Sequence, residues 1–351
     1  MTEITPQLGY DYLLKFGFTS LVDRQVTADG KVFSDIAQPL ALGGLTTGVS
    51  NLELNAAYAT IANNGTYIKP KLYTKIVDSN GNVLIDNTAP ETTQVIKETT
   101  AFLLTSAMED VVTIGTGGRC NFGASTGMAI AGKTGTTSSY NDVWFCGYTP
   151  YYTASTWAGY DNNAKMKDKA EKNLAKTLWR AVMEKIHADL PAKSFTMPAG
   201  ITSVTVCSKS GKLPVAGLCD GTLKQEYFAE GTQPTESCDV HYSGWICQYT
   251  HLPASDECVF KSWGTLEMMP TEHENVIGGS TVVDANGNVS YAYNVTGKCP
   301  HNAAFFADPN AAAIIAQQQA ELGGYYNPGY GGPPSDNTNT ADTGGGEENQ
   351  E

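Results

Sequence analysis

The strand-forming sequence between residues 128 and 160 is the strongest constraint on how this chain can fold. Met128–Thr136 reads as one strand, and Val143–Tyr148 with Thr153–Tyr160 as a strand pair rich in aromatic and β-branched residues, which suit a pleated, half-buried surface. Helical signals flank it. Residues 7–17 carry Leu8, Tyr12, Leu13 and Phe16 near helical spacing. Ser50-Asn51-Leu52-Glu53 reads as a capping box opening a helix that buries Leu54, Ala57, Tyr58 and Ile61 and stops at Asn63-Asn64-Gly65. Lys97–Val112 reads as an amphipathic helix, with the glycine-rich turn Gly115-Thr116-Gly117-Gly118 behind it. Ala170–His187 reads as another, with Leu174, Leu178, Val182 and Ile186 on one side. Tyr67–Val77 and Val83–Asp86, joined through Ser79-Asn80-Gly81, read as a hairpin. The expected class is α+β, helices packed on an antiparallel sheet.

The character changes near residue 206. Six of the eight cysteines, Cys207, Cys219, Cys238, Cys247, Cys258 and Cys299, fall in the second half, while Gly, Pro and Ser rise and helical periodicity fades. This predicts a small crosslinked module or a set of loops. Ala311–Leu322 reads as one last helix. From Gly323 onward Gly, Pro, Asn, Thr and acids dominate, a composition that predicts disorder. A clustered even set of cysteines points to disulfides in an oxidising compartment. Cys238-x-x-His241 and Cys247-x-x-x-His251 have spacings that a zinc site can also use.

The formal net charge of −14 argues against nucleic acid as a partner, because an acidic chain repels phosphate backbones. No run of 18 apolar residues occurs, and the first residues have no basic segment followed by an apolar core, so neither a membrane span nor a signal peptide is read here. Disulfides without an export signal conflict, and the expectation that resolves the conflict is that further residues precede Met1.

The chemistry sits in Ala131-Gly132-Lys133-Thr134-Gly135-Thr136-Thr137. A lysine on this strand places positive charge beside a substrate carboxylate and a nearby serine proton. The glycine lets a substrate backbone lie against the strand edge. Threonine hydroxyls can bind a carboxylate, and a backbone N–H just after the glycine can donate to an oxyanion. Lys-Thr-Gly on a strand is similar to one of the three elements of penicillin-binding proteins and serine β-lactamases. Its context extends the likeness. The stretch from Ala41-Leu42-Gly43-Gly44 to Asn63-Asn64-Gly65, the segment Thr100–Cys120, and Asp142-Val143-Trp144-Phe145-Cys146-Gly147-Tyr148-Thr149-Pro150 resemble, in order, segments of class A penicillin-binding proteins.

The resemblance implies the C-terminal part of a penicillin-recognising serine transpeptidase domain over residues 1–205, a cysteine-rich extension over 206–305, and a short helix with an acidic tail over 306–351. It implies Lys133 as the catalytic lysine and Thr134, Gly135 and Thr136 as substrate-binding residues. Peptidoglycan stem peptides and β-lactams are the expected partners, and neither a metal nor an organic cofactor is required. Such enzymes work on the extracytoplasmic face of the bacterial membrane, which favours disulfides over zinc. Cys207 to Cys219 resembles a loop that follows the transpeptidase domain, which implies a Cys207–Cys219 pair.

The chain departs from the family in one respect. The nucleophile should lie in Ser-x-x-Lys, and no lysine here has a serine three residues before it. Ser139-Tyr140-Asn141 and Ser335-Asp336-Asn337 match the family's Ser-x-Asn element literally but in the wrong order and context. The expectation is therefore half a site, lacking the N-terminal half of the same domain and folding poorly alone. The alternatives are a non-catalytic remnant that binds cell-wall peptides, and a serine β-lactamase. The basic stretch Lys165–Lys185 reads as a solvated helix face, and Trp144, Phe145, Tyr148, Trp157 and Tyr160 as sheet core.

Overall fold

Thr5 and Pro6 start the first helix. In this computed structural model, which describes residues 4–268, 281–283, 289–291 and 298–323, α1 (Pro6–Lys15) is capped by the Thr5 hydroxyl, which accepts from Leu8 N. Pro6 sits where no N–H is needed. Two short strands, β1 (Gln25–Val26) and β2 (Val32–Phe33), pair antiparallel. Helix α2 (Asn51–Ala62) opens on the expected capping box: Glu53 N donates to Ser50 Oγ at 3.2 Å, and Ser50 N donates back to Glu53 Oε2 at 3.1 Å. Glu53 does more than its spacing foretold, because Oε1 also accepts from Thr19 N at 2.8 Å and Thr19 Oγ1 at 2.6 Å. The helix ends as expected, with Asn64 at φ 53° and Gly65 at φ 82°. A Cβ on Gly65 would lie 2.1 Å from Ile96 O, so only glycine fits.

The predicted hairpin is half right. Strands β3 (Thr66–Ile68), β4 (Lys75–Val77), β5 (Val83–Asp86) and β6 (Thr92–Gln94) form two ladders: β4 pairs with β5, but β3 pairs with β6. Pro70 divides the run read as one strand, since it lacks the N–H a ladder needs. Strand β6 carried no signal strong enough to read.

Helices α3 (Glu98–Thr113) and α4 (Gly123–Thr126) lead into β7 (Ala131–Thr136), β8 (Asp142–Tyr148) and β9 (Thr153–Gly159), an antiparallel sheet in that order, followed by α5 (Leu174–Ile186). The two sheet faces are covered by different helices. On one, Val143 and Phe145 pack with Ala175, Trp179 and Met183 of α5. On the other, Tyr148 packs with Met108 of α3 and with Tyr58 and Ile61 of α2.

Helix α5 presents a different face than its longest apolar stripe suggests. Leu174, Leu178, Val182 and Ile186 do share one side, but they are 50, 49, 47 and 46% exposed, whereas Trp179 is fully buried. The indole decides this. It packs edge-on against Phe145 at 4.9 Å between centroids, and its Nε1 donates to Ala154 O at 3.0 Å. A buried aromatic with a satisfied polar tip outweighs a row of half-buried aliphatics.

The chain divides into two units, Met1–Thr202 with Tyr227–Gln233, and Ser203–Glu226 with Pro234–Glu351. The cysteine-rich part is built of ladders rather than loops. Strands β10 (Ile201–Cys207) and β11 (Leu223–Ala229) pair, as do β12 (His241–Cys247) and β13 (Lys261–Glu267), the latter placing Trp245 opposite Trp263. Strands β14 (Thr281–Val283) and β15 (Val289–Tyr291) form a further pair. Helix α6 (Ala303–Phe306) precedes α7 (Ala311–Glu321), where the last helix was expected. The predicted disordered tail beyond Gly323, including Ser335-Asp336-Asn337, lies outside the described residues.

Candidate active site

The motif occupies β7, and its register divides its side chains between the two sheet faces. Lys133 pairs with Cys146, Thr134 with Phe145, Gly135 with Trp144 and Thr136 with Val143. Directly paired residues share a face. Lys133 therefore lies on the α2/α3 face and Thr134 and Thr136 on the α5 face. The outer edge of β7 has no strand partner among the described residues, so its free backbone groups can pair with an extended peptide. A Cβ on Gly135 would sit 3.1 Å from Trp144 Cβ, which keeps this stretch of edge flat.

Lys133 is exposed, and its Nζ donates to Thr134 O at 3.0 Å. Thr134 Oγ1 lies 2.9 Å from Thr116 Oγ1. Thr116 stands in the turn after α3, anchored by Gly117 N donating to Val111 O at 2.8 Å. It is a residue the sequence reading passed over. Its only signal was the glycine-rich turn, which says that the chain bends but not what it meets. Next to this pair, on the α5 side, a cleft of about 460 Å3 is lined by Thr116, Thr134, Thr136, Lys172 and Lys176, among others. The basic stretch thus supplies part of a wall as well as a solvated surface.

Several expectations are sorted by the geometry. Phe145 and Tyr148 are fully buried sheet core, whereas Trp157 and Tyr160 are substantially exposed. Ser139-Tyr140-Asn141 is the turn between β7 and β8. There Tyr140 takes φ 58° and Asn141 Nδ2 donates to Asn163 O at 2.7 Å. Cys120 and Cys146 are buried free thiols, and burial pushes both up to about 12. The expected Cys207–Cys219 disulfide is not formed in this structure, where each of the two sulfurs is turned toward the Nδ1 of His241.

Comparison with known proteins identifies the family to which this fold belongs. The penicillin-binding protein transpeptidase domain family model matches residues 2–184, and the penicillin-binding protein 1A C-terminal domain model matches residues 197–243. The chain belongs to the penicillin-binding protein transpeptidase family, and to its class A branch. It is 38% identical over 221 residues to penicillin-binding protein 1A of Clostridium botulinum, covering 62% of this chain and 26% of that protein. It is 34% identical over 243 residues to penicillin-binding protein 1A of Clostridium tetani, covering 68% and 30%. Penicillin-binding protein 1A from Haemophilus influenzae has a similar solved structure, with a TM-score of 0.54, 25% identity, and coverage of 66% of this chain and 38% of that one. The chain thus spans about a quarter to a third of the length of these curated relatives.

Proposed function

We propose that this chain supplies one wall of a peptidoglycan D,D-transpeptidase site, which also binds β-lactams. The observation that carries the reading is the free edge of β7, with Lys133 exposed at its centre. In the reaction a serine attacks the D-Ala-D-Ala bond of a stem peptide and the terminal D-alanine leaves. The acyl group then passes to an amine on a neighbouring strand.

Each motif residue has a task suited to its position. Lys133 holds positive charge where a serine proton and a substrate carboxylate converge. Thr134, oriented by Thr116, and Thr136 offer hydroxyls to the carboxylate. Gly135 keeps the edge open to the substrate backbone, and the Thr136 N–H donates to the oxyanion of the tetrahedral intermediate. The lysines lining the neighbouring cleft add a positive field that favours an anionic peptide terminus.

The serine itself is not among these 351 residues, since no Ser-x-x-Lys occurs. It comes from the N-terminal half of the same domain, which we infer is the partner of this chain. The exposed aliphatic stripe of α5 and the open edge of β7 are surfaces such a segment would cover. The β-lactamase alternative is disfavoured by the penicillin-binding protein 1A C-terminal match.

The test uses a chimera. Residues 1–205 replace the equivalent segment of a full-length class A relative, and the product is treated with fluorescent penicillin and run on a denaturing gel. The chimera should label covalently, and Lys133→Ala in it should slow labelling by about 100-fold or more. A folded chimera that stays unlabelled, or a Lys133→Ala variant that labels at the parent rate, would refute the assignment. The 351-residue chain alone should give no band. If it labels and excess unlabelled penicillin blocks the band, the inference that the nucleophile lies elsewhere is wrong.

A further inference from the structure

The second unit gathers its six cysteines and two of its histidines into two sets. Cys207, Cys219, Cys238 and His241 form one, and Cys247, Cys258, Cys299 and His301 the other. Within each set the ligand atoms all lie within 4.8 Å of one another. We propose that these are two structural zinc sites, each with a Cys3His ligand set, and that they hold this unit together. The proposal is independent of the transpeptidase reading.

The distances fit tetrahedral coordination. Zinc holds sulfur at about 2.3 Å and imidazole nitrogen at about 2.0–2.1 Å, which at a tetrahedral angle sets sulfur and nitrogen about 3.6 Å apart. In the first set, His241 Nδ1 lies 3.5 Å from Cys207 Sγ and 3.3 Å from both Cys219 Sγ and Cys238 Sγ. In the second, His301 Nδ1 lies 3.5 Å from Cys247 Sγ and 3.7 Å from Cys258 Sγ. Three thiols and one imidazole converging on a common point are a soft, closed ligand set of the kind zinc selects.

The imidazole of the second set is oriented for metal. His301 is fully buried, and its Nε2–H donates to Gln318 Oε1 of α7 at 3.0 Å. That bond places the proton on Nε2 and leaves the Nδ1 lone pair facing the thiols, the outer-shell arrangement that fixes metal-binding histidines. Backbone N–H groups are directed at sulfur in both sets, Val215 N to Cys219 Sγ and Ser255 N to Cys299 Sγ, each at 3.3 Å.

The two sets are built on one plan, repeated. The first cysteine closes a strand, at Cys207 in β10 and Cys247 in β12. Its N–H donates to the carbonyl five residues on, Lys212 O in one case and Leu252 O in the other. Its carbonyl accepts from the N–H four residues on, Gly211 or His251, each with positive φ. The carbonyl six residues on, Leu213 or Pro253, accepts from the N–H of the third cysteine, Cys238 or Cys299. The histidine then follows within three residues. His251 is therefore not a ligand. It takes the turn position that Gly211 takes in the first copy, and its side chain is exposed. The ligand is His301, fifty positions further along, two residues after Cys299 as His241 is three after Cys238.

The packing needs such a centre. The buried cluster of the first set is Cys207, Cys219, Cys238 and Val240, and cysteines are three of the five residues in the second. A two-stranded hairpin with so small a core is marginal in water, and a metal is one of the few staples able to hold it. Disulfides serve these sets poorly, because each holds three cysteines and any pairing within a set strands the third.

The test is metal and thiol analysis of the full 351-residue chain, purified without chelator. Elemental analysis should find two zinc ions per chain. Mass-spectrometric mapping should find the six thiols shielded from alkylation until a chelator is added. Cys219→Ser and Cys258→Ser should each lower the content to one. Should a variant fail to fold, Co2+ titration of the metal-free wild type gives an independent readout: saturation at two equivalents with thiolate-to-cobalt charge-transfer bands. A wild-type chain that binds fewer than two zinc ions, or whose six cysteines are recovered as disulfides, overturns the proposal.

Discussion

Thr116 Oγ1 and Thr134 Oγ1 lie 2.9 Å apart, so the turn after α3 reaches across to the second residue of the Lys-Thr-Gly strand. Removing this bond tests whether the turn aligns the motif. Thr116→Val keeps the shape of the side chain and deletes the hydroxyl. In the chimera it should slow penicillin acylation several-fold while lowering stability by about 0.5–1.5 kcal/mol. Thr116→Ser, which restores the hydroxyl, should recover the rate. Equal rates for the Val and Ser variants would show that the turn has no part in positioning Thr134.

Trp179 and Leu178 are neighbours on α5 with opposite surroundings, one fully buried and the other about half exposed. Trp179→Ala should cost about 3–5 kcal/mol, read as a fall in the urea midpoint. Leu178→Lys with Val182→Lys should move that midpoint little and raise solubility, because it breaks an exposed apolar stripe. A large loss from the double lysine variant would mean that the stripe is buried after all.

Glu109 gives a pH signature. Burial, reinforced by the neighbouring charge of Asp110, raises its carboxyl to about 7 from an ordinary 4.5. The folded state therefore holds the proton more tightly than the unfolded state. Stability falls as pH rises from about 4.5 through 7, and the penalty is complete above that. Glu109→Gln should raise the unfolding midpoint at pH 8, by an amount equivalent to about 1–3 kcal/mol, and change little at pH 4. Thermal unfolding of both proteins across this range is the check, and parallel curves would contradict it.

Glu53 behaves in the opposite sense. Its partial burial opposes ionisation, but hydrogen bonds from Thr19 and Ser50 prevail and hold the carboxyl at about 2 rather than 4.5. Its contribution is present above pH 4.5 and disappears as pH falls toward 2. Glu53→Gln should cost about 1 kcal/mol at neutral pH, the usual worth of a helix cap, and should flatten the acid limb of the stability curve. An acid limb of unchanged steepness would show that other carboxylates set it.

Much of the first unit was legible residue by residue. The Ser50–Glu53 box, the stop at Asn64-Gly65 and the motif strand, read from Met128 and observed from Ala131 to Thr136, all depend on interactions reaching only a few positions along the chain. Of the five strand aromatics read as core, Phe145 and Tyr148 are fully buried, whereas Trp157 and Tyr160 are substantially exposed. The errors share a cause. Strand β3, read as continuous with β4, pairs with β6, and Thr116, read only as part of a turn, meets Thr134. In each case the deciding partner lies far along the chain, and its location depends on the path of everything between.

The sequence alone determined the kind of most helices and of the central strands β7–β9, and the family. These rest on local propensity and on the order of short segments, which the linear chain displays directly. Tertiary structure decided which face of α5 is buried, how the register of β7 against β8 places its side chains, and which three thiols meet each imidazole. Those outcomes follow from packing a large indole, from strand register, and from bringing His301 back to Cys247 across more than fifty residues. None of these is a property of any short stretch of sequence.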